Sequence, residues 1–128
     1  TEYPRVTEMP LARALIDQMI IDVGPEVFRQ LATLYQQETR QAVQDVRRLA
    51  EAPAERVDWR EIGRRAHSLK HAALSFGLNE LAALAYRIEQ AADAGDGESV
   101  PRETSVLQAI SEPNLAELAA LVVDMRFK

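Results

Sequence analysis

The sequence predicts an all-α protein: an antiparallel four-helix bundle with additional short helices at the ends. Three observations carry that expectation. Apolar residues recur three and four positions apart over long stretches, the spacing of one helix face. No segment alternates apolar and polar residues with the β-branched enrichment of strands. Prolines and glycines cut the chain into helix-length pieces joined by short connections, as in up-and-down bundles.

Taken in order, residues 1–8 (TEYPRVTE) are expected to be an irregular leader, and residues 9–128 a single domain. Over 10–22, Leu11, Ala14, Leu15, Gln18 and Met19 form a helical stripe. Gly24-Pro25 ends that helix and opens the next, because proline suits a first helical turn. Residues 25–50 read as a long amphipathic helix, with Phe28, Leu31, Tyr35, Ala42, Val46 and Leu49 inward and Arg, Gln and Glu outward. Residues 51–57, with Pro53, are a loop. Asp58 followed three positions later by Glu61 resembles a capping box and opens a helix running to about Phe76. Gly77 is a left-handed stop. The next helix covers 79–94, with Leu81, Leu84, Ala85, Ile88 and Ala92 on one side, and Gly95-Asp96-Gly97 terminates it. The last third is expected as two helices, 102–110 and 114–126, with Ser111 or Glu112 near the second cap. Pro113 interrupts them, since an interior proline removes a helical hydrogen bond.

Composition bounds the function. A chain of 128 residues is the size of one domain, and with 47% hydrophobic and 27% charged residues it can bury a core. The absence of cysteine removes disulfide frameworks, thiolate catalysis and cysteine–zinc sites together. A net charge of -5 argues against a nucleic-acid partner. With only five glycines, no Gly-rich phosphate loop is present. No uninterrupted apolar run approaches the ~20 residues that span a bilayer, so no membrane partner is expected. The first residues lack the basic start and apolar stretch of a signal peptide. A cytoplasmic location is the corresponding expectation. The chain does not begin with Met, which leaves a larger parent protein open.

The chemistry points to one helix. His67 and His71 are the only histidines, and both fall in the 58–76 segment. On a wheel of about 100° per residue, Ile62, Ala66, Leu69, Ala73 and Phe76 cluster within roughly 80° as the buried face. His67 lies about 130° from the centre of that face and His71 about 170°, so neither is a core histidine. Arg60, Gly63, Arg64, Lys70 and Leu74 share the exposed half. A lone exposed histidine is a weak signal. Here Lys70 is one turn on, Arg60 and Arg64 add positive charge in an acidic protein, and Gly63 offers a partner close approach.

The residues Ala66-His67-Ser68-Leu69-Lys70, then Ser75-Phe76-Gly77, then Leu81 and Ile88-Glu89, resemble a histidine-containing phosphotransfer (HPt) domain. That family's pattern is Ala-His-x-Leu-Lys-Gly, a later glycine, and a leucine–glutamate pair in the next helix. One departure stands out: the family carries a small residue four positions after the histidine, and here that residue is His71. The resemblance implies a phosphorelay intermediate that passes a phosphoryl group between receiver-domain aspartates and has no ATP-dependent kinase activity. It implies His67 as the acceptor, on its outer ring nitrogen, and Lys70 as the stabiliser of the phosphoryl oxygens. Arg60, Gly63, Arg64, His71 and Leu74 are then the expected partner-binding residues. Response-regulator receiver domains and a histidine kinase, plain or hybrid, are the implied partners. No cofactor is expected on this chain; Mg2+ would sit in the receiver. The implied isolated domain is a monomer, although the apolar stretch 115–125 suits a bundle core or a dimer face. Ser68 and Arg65 receive no catalytic role, Glu89 is read as a structural contact or a solvent-facing residue, and Trp59 as a packing anchor.

Three other readings compete. A kinase dimerisation helix would place an acidic residue after the histidine, where Ser68 stands, and would need a separate ATP-binding domain. An i,i+4 histidine pair can chelate zinc. However, the metalloprotease pattern needs a glutamate at Ser68, no third ligand shares the stripe, and the basic neighbours oppose a cation. No metal site is therefore expected. A non-catalytic receiver-binding or protein-interaction bundle needs only an amphipathic surface, and predicts that His67 is dispensable.

Overall fold

The computed structural model describes residues 12–125, so the expected 1–8 leader and Leu11 lie outside the described residues. Five helices follow in order: α1 (Arg13–Val23), α2 (Pro25–Ala50), α3 (Trp59–Ser75), α4 (Asn79–Asp93) and α5 (Ser99–Met125). A 3-10 turn, Ala54–Arg56, sits in the α2–α3 loop, and no strand occurs among the described residues. Helix α2 packs on α3 and α5, and α4 packs on α3 and α5, which closes a four-helix ring of sequential neighbours. Helix α1 packs against α2, and the Ala12 N–H ahead of it donates to the Gly77 carbonyl at 2.8 Å.

The core is built from regular stripes. Phe28, Ala32, Tyr35, Thr39, Val43 and Val46 of α2 are buried, as are Leu81, Leu84, Ala85, Ile88 and Ala92 of α4. The expected inward stripe of α1 is rotated: Ile16 is buried, Met19 and Ile20 pack on the core, and Leu15 is exposed. Leu31, expected inward on α2, is exposed instead. On α2 the rest of the expected stripe holds, with Phe28, Tyr35 and Val46 buried and Ala42 and Leu49 packed on the core. On α1 the buried set lies about one position from the expected one, which the 3.6-residue period allows when apolar residues flank the stripe on both sides. Phe76 stacks on Tyr35 with ring centroids 4.4 Å apart, joining the end of α3 to α2. Polar ties cross the helix seams: Arg40 to Glu112 at 2.8 Å, Arg65 to Asp45 at 3.0 Å, and Asn114 to Glu80 at 3.2 Å.

The two helices expected in the last third are one. Helix α5 begins three residues before the expected start, where the Asp96 carboxylate accepts from the backbone N–H groups of Glu98 and Ser99. It then continues through Pro113. Proline deprives the Ala109 carbonyl of its helical donor. Side chains serve neighbouring carbonyls at this point: Asn114 Nδ2 donates to Ile110 O at 3.0 Å and Ser111 Oγ to Gln108 O at 3.1 Å. Ser111 is thus a mid-helix donor and Glu112 an ion-pair partner of Arg40; neither is a cap. Val100, Thr104, Leu107, Ser111, Leu115, Leu118 and Val122 form one continuous buried stripe across the proline. Helix α5 is long and apolar enough to cross a membrane by length and composition; in this fold it is the bundle's fourth helix.

Candidate functional site

The candidate site is built on α3, whose ends match expectation. The Asp58 carboxylate accepts from the Glu61 N–H at 3.1 Å. The reciprocal half of the capping box is absent, because the Glu61 side chain turns to Arg64 (2.5 and 3.0 Å) and Arg65 (2.8 Å). The Arg64 hydrogen bond, joined by Arg65 and opposed by desolvation, holds the Glu61 carboxyl down to about 2. At the other end Gly77 takes a φ of 68°. A Cβ there would stand 2.9 Å from the Ala12 carbonyl oxygen, so both the backbone and its neighbour require glycine.

Along the α3–α4 seam two stripes carry the site. On α3, Gly63, Ala66, Lys70 and Ala73 are spaced three and four apart; on α4, so are Ala82, Ala85, Glu89 and Ala92. Small residues flank one cation and one anion. Lys70 Nζ donates to Glu89 Oε1 at 2.9 Å, and the two side chains are only 18% and 17% exposed. The ammonium also lies 4.8 Å from the centre of the Tyr86 ring. The other oxygen of the same carboxylate, Glu89 Oε2, hydrogen-bonds His67 Nδ1. Burial pushes the Glu89 carboxyl up, but the hydrogen bonds and charges of Lys70 and His67 outweigh it and leave the group below its ordinary value.

This arrangement assigns the two nitrogens of His67. An ionised carboxylate only accepts, so Nδ1 donates its proton to Glu89, and in the neutral ring the lone pair is then on Nε2. The His67 side chain is 52% exposed. Its Nδ1 is tied to α4 and its ring stands at the surface. His71, one turn on, is also exposed, and its ring meets that of His67 edge to face at a centroid distance of 4.4 Å.

The remaining expected site residues divide. Arg60 is exposed and makes no ion pair among the described residues. Arg64 is exposed, but its guanidinium is spent on Glu61, so the expected basic stripe of Arg60, Arg64 and Lys70 is largely neutralised within the protein. Leu74 is 46% exposed, in line with its expected place on the exposed half of the helix. Gly63 contradicts its expectation: it is buried, and a Cβ there would lie 3.4 Å from Asp93 Oδ1 and 3.8 Å from Ala92 Cβ. Its bare backbone serves the α3–α4 packing, not a partner. Lys70, expected on the exposed half, is half-buried for the same reason: α4 covers that side of α3. Trp59 packs against the core as expected.

Glu89 is the residue that sequence reasoning undervalued. Its signal was present: it is the third of four positions in an otherwise small, apolar stripe (Ala82, Ala85, Ala92), where a carboxylate needs a partner. No group of three His, Cys, Asp or Glu side chains suited to a metal ion occurs among the described residues.

A family model described as the Hpt domain matches residues 30–124, from the first turns of α2 almost to the end of α5. Neither the curated proteins nor the solved structures gave a match.

Proposed function

The chain belongs to the Hpt domain family, which serves histidine phosphotransfer in phosphorelays, and from that premise we propose that His67 is its phosphoryl acceptor and donor. The observation that carries the reading is the Glu89–His67 hydrogen bond on an otherwise exposed ring. It leaves the outer nitrogen as the nucleophile. In the forward step the Nε2 lone pair attacks the phosphorus of a receiver's aspartyl phosphate. The N–P bond forms, the P–O bond to the aspartate breaks, and the aspartate carboxylate leaves with the electron pair. Positive charge develops on the imidazole, and the Glu89 carboxylate, hydrogen-bonded to Nδ1–H, compensates it. Transfer onward to a second receiver is the same step reversed.

Lys70 is held by the same carboxylate, so its ammonium supplies positive charge close to His67 with little freedom to move. That supports an electrostatic role toward the phosphoryl oxygens. Arg60, Arg64, His71 and Leu74 surround the histidine on the exposed side of α3 and are the proposed receiver contacts; Arg60 is the cation left to attract an acidic receiver site. Magnesium in this scheme belongs to the receiver. The kinase that supplies the relay is a further proposed partner.

The test is transfer from a phosphorylated receiver domain to the purified protein, with His67→Gln alongside. The expected product survives base, is lost in acid and does not form on His67→Gln, whose helicity is unchanged. Acid-labile label on His67→Gln at the wild-type rate would overturn the assignment. The exposed His71 ring against His67 favours a second reading, a receiver-binding scaffold that transfers poorly. Faster transfer by His71→Gly would support that obstacle role, and slower transfer would make His71 a participant.

A further inference from the structure

We propose that His67 and His71 form a two-histidine binding site for a divalent transition-metal ion such as Zn2+, and that metal at this site and phosphoryl transfer exclude one another. The two residues sit at i and i+4 on a regular stretch of α3, and both rings are exposed, 4.4 Å apart. Histidines at that spacing project from one face of a helix and can direct imidazole nitrogens to a common point. The nitrogen that His67 can offer is settled by its surroundings. Nδ1 is engaged by Glu89, so the ligand is Nε2. A carboxylate on the far nitrogen of a coordinating histidine is the arrangement that fixes the ring and raises its basicity toward a metal.

The positive neighbours that argue against a cation are compensated in the fold. Lys70 is paired with Glu89, and Arg64 with Glu61. Arg60 is the remaining exposed cation near this face. With two protein ligands and no third among the described residues, water completes the coordination sphere. The site is therefore open and exchangeable, and it contributes nothing the fold needs. Its consequence is chemical. Coordination consumes the Nε2 lone pair, the same pair that the proposed transfer uses, and a phosphoryl group on Nε2 removes the ligand. The binding site rests on the histidine geometry alone; the exclusion rests on His67 being the phosphoryl acceptor.

The experiment is titration of the full, untagged chain with Zn2+, followed by calorimetry and by the imidazole NMR signals, for wild type, His71→Asn and Glu89→Gln. The expected result is one Zn2+ per chain, with the His67 and His71 ring signals moving together. His71→Asn should weaken binding by about tenfold or more, and Glu89→Gln should weaken it by a smaller factor. Labelling by a small phosphoramidate donor, which avoids any effect of Zn2+ on a receiver, should stop in wild type at a Zn2+ concentration that spares His71→Asn. Absence of binding at millimolar Zn2+, or equal affinity in wild type and His71→Asn, would overturn the site. Binding as expected with labelling unaffected would overturn the exclusion. If His67 accepts no phosphoryl group at all, the titration still reads the metal site, so the two failures are distinct.

Discussion

The chemistry of the site comes down to one carboxylate shared by two bases. Glu89 gives one oxygen to His67 and the other to Lys70, so it orients the ring and anchors the ammonium together. In the proposed transfer, Glu89→Gln would keep a carbonyl for the Nδ1–H but lose the charge that balances an imidazolium developing at His67. Phosphotransfer should therefore slow by about tenfold or more with the fold retained, measured as single-turnover rates against a fixed receiver. The same substitution has a pH signature. The folded carboxyl lies below its ordinary value, so its stabilising contribution is complete above the ordinary carboxylate range and is lost as pH falls through the lowered value. The stability gap between wild type and Glu89→Gln should accordingly narrow on acidification, read by denaturant titration at several pH values. Tyr35 makes a second prediction. Its hydroxyl is buried without a hydrogen-bond partner, and burial pushes it up to about 12, with the nearby Thr39 hydroxyl opposing. Tyr35→Phe removes an unsatisfied group and keeps the stack on Phe76, so stability should rise by about 1 kcal/mol, measured by urea unfolding.

Helices were legible where their ends are local. The Gly24-Pro25 junction, the Asp58 cap and the Gly77 stop each depend on a few adjacent residues, and α2, α3 and α4 begin and end within a residue or so of expectation. Helix α5 was not legible, because two terms of opposite sign meet at Pro113. An interior proline costs about 3 kcal/mol. Full burial of a leucine or valine is worth about 1.5–3 kcal/mol each, and Leu107, Leu115 and Leu118 are all fully buried around the proline, with Val122 close behind. Burial wins, and Asn114 and Ser111 serve neighbouring carbonyls. Pro113→Ala should then restore a backbone bond and stabilise the protein by about 1–2 kcal/mol, the gain being trimmed by the looser unfolded chain. A fall in the unfolding midpoint for that variant would mean that the proline's geometry is needed by the bundle.

On the scale of the whole molecule, α2 to α5 make the closed ring and α1 is an addition at one end. That addition is anchored by Ile16, which is fully buried, and by the Ala12–Gly77 hydrogen bond. Ile16→Ala should cost about 2–4 kcal/mol in thermal unfolding while the far-UV signal of the folded protein stays helical, because the α2–α5 core is untouched. The sequence by itself determined the all-α class, most helix ends and the histidine-bearing helix, since periodicity, caps and glycine stops act over one or two turns. It also marked His67 and His71 as outside the buried face, and both are exposed. Only the tertiary structure decided what faces that helix. A single-helix wheel treats everything off the core face as solvent. Packing of α4 moved Gly63 into a helix seam, half-buried Lys70, and brought Glu89 across 22 positions of chain to His67. Those contacts depend on how closely two small-residue stripes approach each other, a property of the helix pair that neither helix carries alone.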